Sequence, residues 1–265
     1  MAHPGPTWRD RQRAERQFYD NRAAQEADRD LHVADDLHHS TQGISLSVLR
    51  ARCHLGPSEG MRVLDCGCGT GMAAVLWARS GARVWGFDIS PQRVSLAKKR
   101  AVVNGVANQV SLQVGAFEEL CYQAESFDLL FGIHVLHHVD VAKAAREAHR
   151  VLKPGGKAVF WEPMDRNPVL RFFRRYAGRF GIVKLGSQHE HPLTSRDLED
   201  LSAAFGGRAR VHNTGFYFFS LLDRNVVRYR SRALSRLLRG LDLGAARLLP
   251  PLRRYSFVGL VELTK

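Results

Sequence analysis

An α/β domain with a parallel sheet is the fold class this sequence predicts, and three features predict it. Short apolar runs recur between residues 56 and 163, at Val63-Leu64, Val84-Trp85-Gly86-Phe87, Leu129-Leu130-Phe131 and Ala158-Val159-Phe160-Trp161. Stretches of helical character separate them, and strands alternating with helices imply parallel pairing. Turn residues fall where strand gives way to helix (Gly67-Cys68-Gly69-Thr70-Gly71) and helix to strand (Lys153-Pro154-Gly155-Gly156). At 265 residues the chain holds one such domain with decorations and buries a substantial core.

Residues 1–55 read as a helical cap, with Phe18-Tyr19-Asp20 and a His/Asp-rich solvated face at His32, Asp35, Asp36, His38 and His39. The core, 56–163, opens with Val63-Leu64-Asp65-Cys66 and three glycines at alternate positions, Gly67, Gly69 and Gly71, before the apolar run Met72 to Trp77. That pattern is a buried strand, a tight turn whose missing Cβ atoms let a ligand touch the backbone, and a helix. The pyrophosphate-binding fingerprint would need a glycine where Met72 stands. A carboxylate just before the glycines, Asp65, suits a cationic group instead, because it can accept from an α-ammonium. The next strand ends in Asp88, and an acid about 20 residues beyond such a loop can bond both ribose hydroxyls. Ser90 caps the helix that Pro91 opens. A third strand and its loop follow at Val110–Leu120, and a fourth runs from Ser126 through Ile133 into a His-rich turn ending at Val139. An Ala-rich helix over Val141–Leu152 meets the Pro-Gly stop, and Lys157–Pro163 is the fifth strand.

This order of motifs resembles the class I S-adenosylmethionine-dependent methyltransferase superfamily, in its type 11/25-like branch of ubiquinone/menaquinone-biosynthesis and natural-product enzymes. The resemblance covers residues 61–163 and fades beyond 165. It implies a Rossmann-like, seven-stranded, mostly parallel sheet with an antiparallel last strand, a helical N-terminal cap and a helical lid insertion. Residues 164–265 would then hold the acceptor-site and lid insertions and the final strands of the same domain. There, a helix capped by Ser195 is expected, a sixth strand around Ala209–His212 continuing irregularly to Phe218-Phe219, and a last strand over Tyr255–Leu263 beside strand five. The implied cofactor is S-adenosyl-L-methionine, held by Asp65, Gly67, Cys68, Gly69 and Gly71. Asp88 would take the ribose, Ile89 the adenine face, backbone of Ala116 and Phe117 the ring edge, and His134 the adjoining wall. The family's Asp for the adenine amino group is replaced here by Ala116, which removes one side-chain contact.

Methyl transfer from a sulfonium is an in-line displacement, so the protein mainly aligns the reactants and excludes water. A base is needed only when the acceptor must lose a proton. The candidates are His134 after strand four, His138 one turn on, Glu162 at the end of strand five, and His191 in the insert. No metal is expected: His189 and His191 lie at i and i+2 without a third ligand, and Cys66 and Cys68 lack a second pair. All four cysteines read as reduced. Trp8, Phe18, Tyr19, Phe172, Phe173, Tyr176 and Phe216 to Phe219 lie outside the core and divide between lining an acceptor pocket and packing the lid.

The formal net charge of +13 is unevenly placed. Residues 1–165 carry 20 Lys and Arg against 19 Asp and Glu, whereas 166–254 carry 18 against 6. Arg224, Arg228, Arg232, Arg236 and Arg239 fall at helical spacing and would share one face. Such a row is either solvated or docks on an anionic membrane, carrier protein or phosphorylated substrate. The acceptor expected is small or lipid-like, an anionic one included. Nucleic acid is disfavoured, because no RNA-binding module or Asn/Asp-Pro-Pro-Tyr-type motif follows strand four. An RNA methyltransferase and a non-methylating cyclase or binding protein remain the rival readings. The Arg-rich start without an apolar run, and the lack of a membrane span, point to a cytoplasmic protein, with peripheral membrane contact open.

Overall fold

The computed structural model describes residues 7–26, 30–33, 58–168, 171, 191–213, 219, 223 and 231–265. Within them the chain runs α1 (Trp8–Glu26), β1 (Arg62–Cys66), α2 (Met72–Ala78), β2 (Arg83–Asp88), α3 (Pro91–Val103), β3 (Val110–Val114) and β4 (Phe127–Ile133). It continues as α4 (Val141–Val151), β5 (Leu152–Pro163), α5 (Ser195–Ala204), β6 (Ala209–Asn213), α6 (Arg232–Leu248) and β7 (Val258–Thr264).

Seven strands form one sheet in the order β3-β2-β1-β4-β5-β7-β6. The pairs from β3 to β5 are parallel, while β7 runs antiparallel to both β5 and β6. The strand order reverses between β1 and β4, so a crevice opens there at the carboxyl ends, the usual ligand position in such sheets. Alternation along each strand feeds two cores. Val63, Val84, Leu129 and Phe131 pack on one face with Trp77 of α2, and Leu64, Phe87, Leu130 and Phe160 pack on the other with α4 and α5. At about 1.5–3 kcal/mol per large apolar side chain, these layers supply most of the favourable folding energy.

Local chemistry sets several boundaries. Ser90 caps α3 as expected, its Oγ accepting from the Arg93 N–H, with Pro91 in the first turn. The cap of α5 is Thr194, not Ser195: its hydroxyl accepts from Asp197 N–H, and the Asp197 carboxylate accepts from Thr194 N–H, a reciprocal capping box. β5 starts before the glycines, at Leu152 opposite Phe127, and a bulge then brings Lys157 opposite Leu129. α4 accordingly ends at Val151. The last strand starts at Val258, later than expected, because Pro250 and Pro251 open a 3₁₀ turn through Tyr255. β6 ends at Asn213; residues 214–218 lie outside the described residues, and Phe219 is helical rather than extended. The arginine row does not run down a single helix. Ser231 breaks it with an extended backbone and caps α6 through Leu234 N–H, while Arg224 and Arg228 lie outside the described residues.

Two glycines of the loop are required by packing. A Cβ on Gly67 would stand 2.9 Å from Val135 Cγ2, and one on Gly71 would stand 2.8 Å from Ala97 Cβ. Gly71 also has φ +83°, a conformation that costs a side chain about 1–3 kcal/mol. With the overpacking added, Gly71→Ala is expected to lower stability by about 2–4 kcal/mol, read from urea unfolding. Wild-type stability would show that α2 and α3 can part without cost.

Candidate functional site

The carboxyl end of β1 carries Asp65, which is 2% exposed and whose Oδ2 has no hydrogen-bond partner among the described residues. Burial, with repulsion from Asp88, pushes its carboxyl up to about 7. Asp88, at the end of β2, is also buried and is tied into the loop: Oδ2 accepts from Gly69 N–H at 2.9 Å and Oδ1 from Ser90 N–H at 3.0 Å. Burial raises its pKa, and those two N–H groups and the nearby Arg93 oppose the rise. Each oxygen keeps a further lone pair. Gly69 differs from its two neighbours. Its φ is +53°, and among the described residues a Cβ there would meet only the tip of Arg93, at 3.7 Å, so this position is open on that side.

The loop is fixed from behind. Cys68 N–H donates to Phe87 O at 2.8 Å, and burial with both acids raises the Cys68 thiol well above its usual range, so it stays neutral. The buried Arg100 donates to Thr70 Oγ1 at 2.6 Å and to the Thr70 carbonyl. Ile89 follows Asp88 half-buried, and Ala116 bridges to Glu119 in the loop after β3. Phe117 turns its ring into the core between Phe87 and Phe160, which leaves only its backbone for a ligand.

A second group gathers beside it, at the ends of β4 and β5. Glu162 is fully buried, and its Oε1 accepts from Val135 N–H at 2.7 Å and Leu136 N–H at 2.8 Å. Its Oε2 lies 2.6 Å from His137 Nδ1. Burial alone would raise the Glu162 pKa, but His137, His134 and the Leu136 N–H together hold it below the ordinary value. His134 is exposed at the mouth with φ +55°, its N–H donating to Trp161 O at 2.9 Å. A non-glycine residue in the left-handed region is a strained feature that the surrounding fold must hold in place. Donor atoms of His134, His137 and Glu162 all lie within 4.8 Å of one another. Glu162 already accepts from two N–H groups and faces the His137 imidazole, and the His134 ring stands edge-on to His137 at 5.7 Å between centroids.

The other candidates sit apart from this network or behind it. His138 turns toward α1, where Tyr19 Oη lies 2.9 Å from its Nε2 and Glu15 Oε2 lies 3.1 Å from its Nδ1. It holds the cap helix down rather than facing the mouth. His191 N–H donates to His137 O at 3.4 Å, and its Nδ1 is buried with no hydrogen-bond partner among the described residues. His189 and Glu190 lie outside the described residues, as do Asp35, Asp36, His38, His39, Phe172, Phe173, Tyr176 and residues 216–218. α1 crosses the same edge, reaching Glu118 through Gln12, Ser90 through Asp20, and Arg93 through Glu26.

Sequence reasoning missed His137 as the partner of Glu162. The signal was available in the parallel β4–β5 pairing, which sets Ile133 opposite Trp161 and so brings together the residues that follow each. Arg100 gave no signal, because an arginine on a helix reads as solvated.

Comparison with known proteins agrees with this geometry. The sequence profile described as "Methyltransferase domain" matches residues 64–160. Curated relatives include ubiquinone biosynthesis O-methyltransferases of Methylocella silvestris, 38% identical over 38% of this chain and 39% of the relative, and of Xanthomonas axonopodis pv. citri, 38% identical over 49% and 53%. A third, from Chelativorans sp., is 31% identical over 54% of this chain and 60% of its own length. The chain thus spans between about two fifths and three fifths of the length of these relatives. Among solved structures, geranyl diphosphate C-methyltransferase from Streptomyces coelicolor shares the fold at TM-score 0.61 and 16% identity, covering 98% of each chain. The cyclase SpnF does so at TM-score 0.60 and 22% identity, covering 100% of this chain and 98% of its own. Motif order and sheet order agree with that match: the chain contains a methyltransferase domain, centred on residues 64–160.

Proposed function

We propose that the protein transfers a methyl group from S-adenosyl-L-methionine to a small or lipid-like acceptor, at a hydroxyl oxygen or an acidic carbon, in the cytoplasm. The observation that carries this reading is buried Asp65 beside Asp88, its Oδ2 without a hydrogen-bond partner among the described residues. Two adjacent buried carboxylates call for a cationic, hydroxyl-bearing ligand, and the open side of Gly69 leaves room for it. When bound, S-adenosyl-L-methionine supplies an electrophilic methyl group on a sulfonium. Asp65 would accept from its ammonium group and Asp88 from its ribose. The N-terminal cap, residues 1–55, and the insertions within 164–265 would close over the core and keep water out, while the final strands of 164–265 complete its sheet.

His134 takes the acceptor's proton. The carboxylate of Glu162 favours the resulting imidazolium from within 4.8 Å, and His137 is held in place behind it. Glu162 is therefore a positioning residue, sealed from the mouth, and His138 acts only through α1. The relatives named for O-methylation favour oxygen as the acceptor atom, whereas the fold, shared by a cyclase and a C-methyltransferase, does not choose among chemistries.

Incubation with methyl-labelled cofactor and cell extract, followed by separation of lipid, RNA and protein fractions, tests the reading. Label is expected in the lipid or small-molecule fraction; label in RNA alone, or in none, would overturn it. With an acceptor in hand, His134→Ala is expected to lower turnover about 100-fold at saturating cofactor, with cofactor affinity unchanged. Normal turnover would remove His134 from the proton path.

A further inference from the structure

We propose that α6 and the turn after it form a docking surface for a bilayer containing anionic lipid. On α6, Leu234, Leu237, Leu241 and Leu248 are 36%, 59%, 44% and 81% exposed. At 3.6 residues per turn these four fall within about 60° of arc, a single apolar stripe. Leu249, 55% exposed, and the exposed Pro250 and Pro251 carry the stripe onto the tip of the following turn. The helix is anchored to the protein by a different face. Asp242 is buried and accepts from Phe219 N–H at 2.9 Å, and Leu238 lies beside it, half-buried. The stripe runs alongside that anchored face, about 90° around the helix from it, and is left exposed to solvent.

Charge selects the occupant. Residues 231–256 contain Arg232, Arg236, Arg239, Arg247, Arg253 and Arg254 against the one acid, Asp242. Arg239, Arg247 and Arg254 are exposed, and the last two flank the Leu248-Leu249-Pro250-Pro251 tip in sequence. Leucines that enter the acyl boundary beside arginines that reach lipid phosphates describe an interfacial helix. Nucleic acid would satisfy the arginines but leave the leucines in water, and no aromatic residue for base stacking occurs from 231 to 254.

The surface also lies at the right edge. The turn ends at Tyr255, whose carbonyl accepts from Asn167 Nδ2 at 3.1 Å, and Met164 N–H donates to Phe257 O at 2.9 Å. Both contacts are made just beyond the carboxyl end of β5, the strand that ends with Glu162 and Pro163. A bilayer docked here would present an apolar acceptor to the mouth. That last step rests on the proposed function; the docking itself does not.

Sedimentation with vesicles of phosphatidylcholine alone, or mixed with phosphatidylglycerol, at low and high salt, tests the docking. Pelleting is expected only with the anionic vesicles, and less at high salt. Replacing the tip leucines (Leu248→Asp with Leu249→Asp), or two arginines (Arg247→Glu with Arg254→Glu), is expected to lower partitioning about 30-fold, at roughly fivefold per arginine. Both variants should keep wild-type circular dichroism and affinity for S-adenosylhomocysteine. Full recovery in the supernatant, equal pelleting with both vesicle types, or wild-type pelleting of the leucine variant would overturn the proposal. So would capture by an acidic acyl carrier protein without vesicle binding, which would assign the surface to a soluble partner. A protein that docks yet methylates no acceptor would leave the docking intact and overturn the functional reading.

Discussion

Affinity for S-adenosylhomocysteine is expected to rise about 100-fold between pH 5 and pH 8, and Asp65→Asn is expected to flatten that dependence. The ligand-free site holds the Asp65 carboxyl near 7, because burial and Asp88 both disfavour its charge. An ammonium needs the carboxylate, so binding below pH 7 must expel a proton, and each pH unit below that point costs about tenfold. Calorimetry in two buffers of different ionisation enthalpy should register release of close to one proton near pH 6. The variant should bind about 100-fold more weakly than wild type at pH 8, having lost a charged acceptor in a buried site. An affinity in wild type that ignores pH would remove Asp65 from the ammonium position.

The same group makes a prediction about stability with a definite sign. Its folded pKa lies above the ordinary aspartate value of 3.8, so the native state keeps a proton that the unfolded chain releases. Stability is therefore lost as pH rises from about 4 to about 7, by up to about 4 kcal/mol from this group alone. Asp65→Asn should accordingly melt higher than wild type at pH 8 without ligand, even as it binds less well. Wild type gives up stability at this position to keep a ligand-ready charge.

Legibility from sequence followed the range of each interaction. β1, its glycine loop and β2 are contiguous in the chain, so Asp65, Gly69 and Asp88 could be read from spacing alone. The order β5-β7-β6 came from resemblance, since nothing local in Val258–Thr264 tells which neighbour the strand will take. Three glycines looked alike as letters. Only the packed structure separates Gly67 and Gly71, set against Val135 and Ala97, from Gly69, which is open on its Cβ side among the described residues. The His-rich turn was misread in part for a related reason. His137 and His138 are adjacent, and what distinguishes them is Glu162 on one side and Glu15 with Tyr19 on the other, 25 and more than 100 positions away. The arginine spacing continued past Ser231, but periodicity cannot see a residue whose hydroxyl offers the backbone a cap instead.

Glu162→Gln is expected to lower turnover about 100-fold and to move the acidic limb of the pH–rate profile to lower pH. The carboxylate lies within 4.8 Å of the His134 and His137 donor atoms, so its charge stabilises an imidazolium at the mouth. Glutamine keeps the shape and can still accept from Val135 and Leu136 N–H, but it removes that charge and offers His137 Nδ1 a donor. The base then holds its proton less tightly, which shifts the limb downward. Loss of packing alone would lower the rate without moving the limb. Glu162→Ala is a harsher change: it strands two buried N–H groups and the His137 ring, at a cost of about 3–5 kcal/mol. Because the native pKa of Glu162 is depressed, its contribution to stability is present above the unfolded value near 4.5 and fades as pH falls below it. The stability gap between wild type and Glu162→Ala should therefore narrow in acid. A Gln variant with wild-type turnover and an unmoved limb would reduce Glu162 to a structural tie between β4 and β5, and the search for the proton acceptor would turn to His191, whose Nδ1 lies buried beside the same network.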